Sequence, residues 1–208
     1  MWAHTKENQD KVTPTQALKY LKEGNARFLN NIKVSRDLLK QVNQTSEGQF
    51  PFATILSCID SRVSIELIFD QGLGDIFSIR IAGNILNDDI LGSMEFAIGV
   101  ANSKIVLVLG HTKCGAITSA CNNYKSGYIT GLLSKINPAI EMDTITKIDR
   151  NGQNLTFVNR VAEINVHLTI NQIIAKSTVL RELENDGKIL IVGGIYDVET
   201  GIVEFVDS

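Results

Sequence analysis

Four short apolar runs, at residues 52–56, 76–81, 105–109 and 189–192, stand out against longer stretches of mixed polarity. Each is four to six residues long and rich in branched side chains, the pattern of strands buried on both faces. Between them the spacing turns helical. Thr13-Pro14-Thr15-Gln16 has the form of a helix start: Thr13 as N-cap, Pro14 at the first helical position, Gln16 able to reach back. Ala17, Leu18, Leu21, Phe28 and Leu29 then share one stripe. Shorter helical patterns follow at 37–42 and 63–70, the latter ended by Gly72 and Gly74. A helix starting at Asp88 or Asp89 runs to about Ala101, with Ile90, Leu91, Met94, Ala97 and Ile98 inward. Residues 116–124, 129–136 and 157–174 continue the helical pattern. The last is the longest, with Val158, Val161, Ala162, Ile164, Asn165 and Leu168 on its inner face. Ser177 caps a further helix that stops at Gly187. Residues 195–198 and 202–206 flank a Glu199-Thr200-Gly201 turn and form an antiparallel terminal element. Residues 1–12 read as a loose arm and 138–154 as irregular.

Strand, helix and strand in alternation predict right-handed parallel crossovers. The expected fold is α/β: a mostly parallel sheet of four to five strands with flanking helices and an antiparallel final strand. One domain spans 1–208, with 1–32 an arm and helix whose apolar stripe lies on its own domain or on a partner subunit.

Composition narrows the class. With 44% apolar residues and only three prolines, 208 residues can bury a sizeable core. Lys and Arg number 20 against 23 Asp and Glu, a formal charge of -3, and no basic cluster interleaves with aromatics, which argues against a nucleic-acid partner. No run approaches the ~18 apolar residues of a membrane span, and the polar first dozen lack the apolar core of a signal peptide. Three widely spaced cysteines, Cys58, Cys114 and Cys121, do not form a disulfide framework. A cytoplasmic enzyme is the expectation.

Two of the strands end in chemistry. Cys58-Ile59-Asp60-Ser61-Arg62 follows the run at 52–56, and His111-Thr112-Lys113-Cys114-Gly115 follows that at 105–109. In an open α/β sheet, ligands collect beyond the carboxyl ends of the strands, so the two loops can meet. Cys58, His111 and Cys114 then supply three of the four tetrahedral sulfur and nitrogen ligands that Zn²⁺ favours. Cys121 lies two helical turns past Cys114, badly placed to complete that tetrahedron, and reads as a buried apolar thiol. The fourth place is open or filled by Asp60. That carboxylate either accepts a hydrogen bond from a metal-bound water or binds the metal itself, and Arg62 can clamp it in a bidentate pair. His4 in the arm and His167 in the long helix read as structural or surface residues, and Gly193-Gly194 as a strand turn.

The two loops together resemble those of the β-class carbonic anhydrases. Residues 21–28, 79–84 and 194–201 also resemble family segments, and the similarity runs from about Ala17 to Asp207. The resemblance implies Zn²⁺ held by Cys58, His111 and Cys114, with Asp60 and Arg62 as a catalytic dyad. It implies reversible hydration of carbon dioxide to bicarbonate and a proton by zinc-bound hydroxide; two negative thiolates should lower the pKa of a metal-bound water less than three neutral histidines would, which predicts activity rising toward alkaline pH. It places Gln49, Phe77, Ala82, Phe96 and Gly115 at the substrate pocket. Ala82 stands where a valine is common and Phe96 where some members carry tyrosine, so the pocket stays apolar and loses a hydroxyl. A second bicarbonate site known in some members uses a tryptophan, an arginine and a tyrosine. Arg80 and Tyr196 match the last two, but Ile55 and Ser57 depart from that pattern. A homo-oligomer, dimer or tetramer, is implied. Hydrolysis of carbonyl sulfide or carbon disulfide at the same metal is the alternative activity, and a zinc-binding protein without turnover is the alternative class.

Overall fold

The computed structural model describes residues 4–206. Five strands, β1 (Ala53–Ser57), β2 (Ile76–Arg80), β3 (Ile105–His111), β4 (Leu190–Tyr196) and β5 (Val203–Val206), form one sheet in the order β2-β1-β3-β4-β5. The first four are mutually parallel and β5 returns antiparallel to β4. The expected mostly parallel sheet with a reversed last strand is what forms. β1 and β3 lie in the interior of the sheet and are buried along their whole length, which is why their sequences are continuous apolar runs.

Ten helices flank the sheet among the described residues: α1 (Lys6–Lys11), α2 (Pro14–Leu29), α3 (Leu38–Thr45), α4 (Ile65–Ile68), α5 (Asp88–Glu95), α6 (Gly115–Cys121), α7 (Gly127–Leu133), α8 (Asn137–Met142), α9 (Leu155–Lys176) and α10 (Thr178–Asn185). Alternation along the strands sorts them to two faces. Ile55, Ile105, Leu107 and Leu109 pack with Ala17 and Leu21 of α2 and Ile65 and Ile68 of α4. Leu56, Val106, Val108 and Ile191 pack with Met94 of α5, Val166, Ile170 and Ile173 of α9, and Leu180 of α10.

The caps behave as the sequence implies. Thr13 accepts from the Gln16 N–H at 3.2 Å while the Gln16 side chain accepts from the Thr13 N–H at 2.9 Å. The α2 stripe is covered by its own chain at Ala17 and Leu21, both fully buried, whereas Leu29 is exposed. Ser177 accepts from the Leu180 N–H at 3.0 Å. The helix expected from Asp88 to about Ala101 is present, but Asn87 caps it, and it loosens into a π-helical turn at Phe96–Val100.

Four expectations need correction. The arm is not loose where described: Thr5 caps α1, and buried Gln9 donates to the carbonyls of Pro51 and Ala101 at 2.7 and 2.8 Å. Met1, Trp2 and Ala3 lie outside the described residues. The stretch 138–154 is not wholly irregular. Pro138 sits in the first turn of α8, and the loop beyond is gathered by Asp143, whose buried carboxylate pairs with Arg150 at 3.1 Å and Arg160 at 2.8 Å. On α9, Ile164 and Leu168 are only half-buried, and the inner face continues instead through Val166, Thr169, Ile170 and Ile173. Finally, Gly193 and Gly194 make no turn. They lie inside β4, which extends through Tyr196. A Cβ on Gly193 would meet Val206 at 2.6 Å and Val166 at 2.7 Å, so the glycine lets α9 and β5 close on the strand.

Candidate metal centre

The parallel register pairs Ser57 with Leu109, so the residues that follow emerge side by side at the carboxyl edge of the sheet. β3 runs two residues further than its apolar run and ends on His111. The His111 ring is fully buried. Its Nδ1 lies 2.9 Å from the Thr112 carbonyl. A proton on Nδ1 donated to that oxygen leaves Nε2 as a bare acceptor, and Nε2 is buried without a hydrogen-bond partner. Cys58 Sγ and Cys114 Sγ stand 3.9 Å apart, and one donor atom from each of Cys58, His111 and Cys114 lies within 4.8 Å of the other two.

Electrostatics give this cluster a sign. The thiol of Cys114 hydrogen-bonds to Cys58 and, against the cost of burial and together with the N–H of Gly83, holds the Cys58 thiol down to about 4. Cys114 is pushed up, first by that same hydrogen bond and then by burial. One proton leaves the pair easily; a second buried negative charge beside the first is unfavourable until a cation offsets it. Two thiols, an orphaned imidazole nitrogen and the charge deficit fit a Zn²⁺ ion.

Asp60 stands at the edge of the cluster, its Oδ2 3.9 Å from His111 Nε2. Arg62 holds it in a fork, Nε to Oδ1 at 2.9 Å and Nη2 to Oδ2 at 2.8 Å. The Arg62 side chain keeps the Asp60 carboxyl down at about 2. Arg62 also reaches the Lys113 carbonyl at 3.4 Å, tying one loop to the other. Arg80, at the end of β2, donates to the carbonyls of Cys58 at 3.1 Å and Asp60 at 2.7 Å. The arginine that the resemblance connects with a second bicarbonate site here holds the first loop in shape. Ile55 is buried in the core, and the Ser57 hydroxyl is buried without a partner.

The remaining predicted residues divide. Gly115 opens α6 directly after Cys114, with open space where a side chain would sit. Ala82 belongs to a 3-10 turn whose next residue, Gly83, donates its N–H to Cys58 Sγ at 3.3 Å. Phe77 and Phe96 line a cleft of about 760 Å³ along the outer edge of β2, with Arg80 also on its wall. Gln49 is exposed in the loop before β1, separated from Cys58 by the length of that strand. Cys121 is buried, its thiol pushed up to about 11 by burial, and is not part of the three-donor group. His4 packs on Phe52, ring centroids 5.2 Å apart, and His167 is half-buried on α9.

Sequence reasoning missed the supports behind the loops. Asn159 accepts from the Lys113 N–H at 2.9 Å. Asn165 donates to the Gly83 carbonyl at 2.9 Å. The Thr112 hydroxyl donates to Asp197 at 3.3 Å and accepts from the Val198 N–H at 3.1 Å. Asn165 alone had a signal, as a polar residue on an apolar helix face.

Comparison with known proteins agrees with this centre. A carbonic anhydrase family model matches residues 53–203. Carbonic anhydrase 2 of Mycobacterium tuberculosis is 34% identical over 196 residues, covering 91% of each chain. The carbonic anhydrase of Mycolicibacterium smegmatis is 32% identical over 92% of each. Among solved structures, the β-carbonic anhydrase CafA of Aspergillus fumigatus superposes with a TM-score of 0.72 at 28% identity, covering 93% of this chain and 90% of that one. In sequence and in fold, the chain belongs to the β-carbonic anhydrase family.

Proposed function

We propose that Cys58, His111 and Cys114 hold the zinc ion of this carbonic anhydrase, and that Asp60, clamped by Arg62, orients the attacking oxygen in the hydration of carbon dioxide. When bound, the ion supplies the Lewis acidity that brings the pKa of a water molecule toward neutrality. The chain's own residues supply direction. Asp60 is ionised and therefore only accepts hydrogen bonds. It can take the proton-bearing side of the water and leave a lone pair facing the carbon of CO2. Arg62 fixes both oxygens of that carboxylate by a fork that a single-point donor such as Lys cannot reproduce. The same fork keeps Asp60 from turning toward His111, so we assign the open state to the centre, with the place beside the three donors left for water and substrate. The single observation that carries this reading is the three-donor cluster with an ionised, arginine-held carboxylate at its edge.

We further propose a homo-oligomer that completes the pocket. β2 is an edge strand, and the cleft along it carries Phe77 toward one end and Arg80 at the other. A twofold axis perpendicular to β2 at this edge would run the two β2 strands in opposite directions. It would set the Gln49 and Phe77 end of one chain beside the Arg80 and Asp60 end of its partner. In that arrangement Gln49 of the partner subunit can hydrogen-bond bicarbonate while Phe77 and Phe96 exclude water. No helix among the described residues is long and apolar enough to cross a membrane. We infer a cytoplasmic setting, because thiol ligands must stay reduced and Cys58, Cys114 and Cys121 are all free.

Stopped-flow hydration of CO2 by the zinc-loaded protein, beside Asp60→Ala and Cys114→Ser, tests the reading. Activity in the parent and its loss in both variants is expected. Carbonyl sulfide run alongside separates the activities, and faster turnover of that substrate than of CO2 would reverse the assignment.

A further inference from the structure

Both halves of the metal centre are held from behind by one helix. α9 extends Asn159 to the His111 loop and Asn165 to the turn behind Cys58. Asn165 is buried, and its Nδ2 donates to the Gly83 carbonyl at 2.9 Å. The N–H of the same peptide group, on Asn84, donates to the Ile81 carbonyl at 3.0 Å. That peptide is therefore fixed at both ends. Its neighbour, the Gly83 N–H, points at Cys58 Sγ from 3.3 Å. Gly83 has φ +69°, and a Cβ there would meet the tip of Ile136 at 2.9 Å, so a side chain at this position would be strained and would displace Ile136. On the other loop, Lys113 sits between two ligands with φ +55°, a conformation that costs a side-chain-bearing residue energy. Asn159 Oδ1 accepts its N–H at 2.9 Å.

We propose that Asn165 and Asn159 are positioning residues of the metal centre: Asn165 aims the Gly83 N–H at the Cys58 sulfur, and Asn159 holds the strained Lys113 so that His111 and Cys114 face the same point. A hydrogen bond donated to a ligand sulfur withdraws electron density from it, and groups that orient ligands typically change metal affinity about 10–100-fold when removed. The roles differ in polarity. Asn165 acts as a donor to a carbonyl, and Asn159 acts as an acceptor for an N–H. Aspartate, which has the shape of asparagine and only accepts when ionised, separates them.

This inference rests on the zinc reading, and its readout does not depend on turnover. Zinc transfer from the loaded full chain to a competing chelator gives affinity, and the Co²⁺-substituted chain gives the sulfur-to-metal charge-transfer band. Asn165→Leu and Asn165→Asp are expected to weaken zinc binding about 10–100-fold and to move the band to lower energy. Asn159→Leu is expected to weaken binding with the band unmoved, and Asn159→Asp to bind as the parent does. Folded Asn165 variants with parental affinity and spectrum overturn the proposal, as does a lowered melting temperature with both metal readouts unchanged. If Asn165→Leu does not fold, Asn165→Asp decides. If neither folds, Asn165 is a core residue and the proposal fails. A parent chain that binds no zinc would instead overturn the zinc reading itself.

Discussion

Asp60 and Arg62 show how far a single pair can set the behaviour of a site. The fork from Arg62 holds the Asp60 carboxyl at about 2, below its ordinary 3.8. The carboxylate is therefore charged throughout the neutral range and cannot serve as a proton donor there. Replacing it with an amide keeps the shape and puts a donor where an acceptor is needed. Asp60→Asn should lower the CO2 hydration rate about 10²-fold, the order of loss when the attacking group is no longer held in line, with zinc content unchanged by metal analysis. Arg62→Ala leaves the carboxylate present but unclamped, 3.9 Å from His111 Nε2. That variant should also lose activity, and the Co²⁺-substituted form should show a changed spectrum as Asp60 turns toward the ion. Retained activity in Arg62→Ala would mean that the clamp is an ordinary loop ion pair. The donors themselves were legible in the sequence, because cysteine and histidine at the ends of apolar runs are conspicuous. Arg80 was legible only as a match to one position of a family site, since only the folded chain brings its guanidinium under the carbonyls of Cys58 and Asp60.

At the scale of elements, legibility followed local signals. The α2 start was readable because a capping box is written in four consecutive residues, and β1 and β3 because burial on both faces demands unbroken apolar runs. α8 and the loop after it were not, because what orders them is distant. Asp143 has a fully buried side chain, yet it is held by Arg150, by Arg160 on α9, and by the N–H groups of Ile145 and Thr146. Burial works to raise its pKa, but the Thr146 and Ile145 hydrogen bonds and Arg160 outweigh it and bring the carboxyl to about 2. A folded pKa below the unfolded 3.8 means that the ionised form favours the native state. That contribution is full above about pH 4 and is lost as pH falls through about 2. Asp143→Asn should destabilise the protein by about 3–5 kcal/mol at pH 7, as when one partner of a buried ion pair is removed. The loss should shrink between pH 4 and pH 2. Urea unfolding at pH 7 and pH 3 measures both, and an equal loss at both values would remove Asp143 from the acid response.

At the scale of the whole molecule, each chain brings three metal donors together by itself, and on the proposed reading its substrate wall is shared with a second copy. Cys58, His111, Cys114, Asp60 and Arg62 meet at the carboxyl edge of the sheet, whereas Gln49 lies a strand length away and Phe96 is 55% exposed beside the free edge of β2. Phe96 stands on the rim of a cleft of about 760 Å³ along that edge, so it is the residue at which the proposed contact can be tested. No pattern within one chain could disclose such a division, because alternation and spacing report burial and not which copy would supply the cover. Phe96→Glu puts a charge into that contact without touching a metal donor. The variant should sediment as a monomer at concentrations where the parent is a dimer or larger. It should keep stoichiometric zinc and lose most of its CO2 hydration, with the loss showing in KM as well as kcat because the partner's Gln49 and Phe77 are withdrawn. Mixing it with an inactive Asp60→Asn chain should not restore activity if the Glu side chain blocks pairing with either copy. A monomeric Phe96→Glu protein with parental kinetics would show that one chain closes its own pocket, and Gln49 would then have no part in binding substrate.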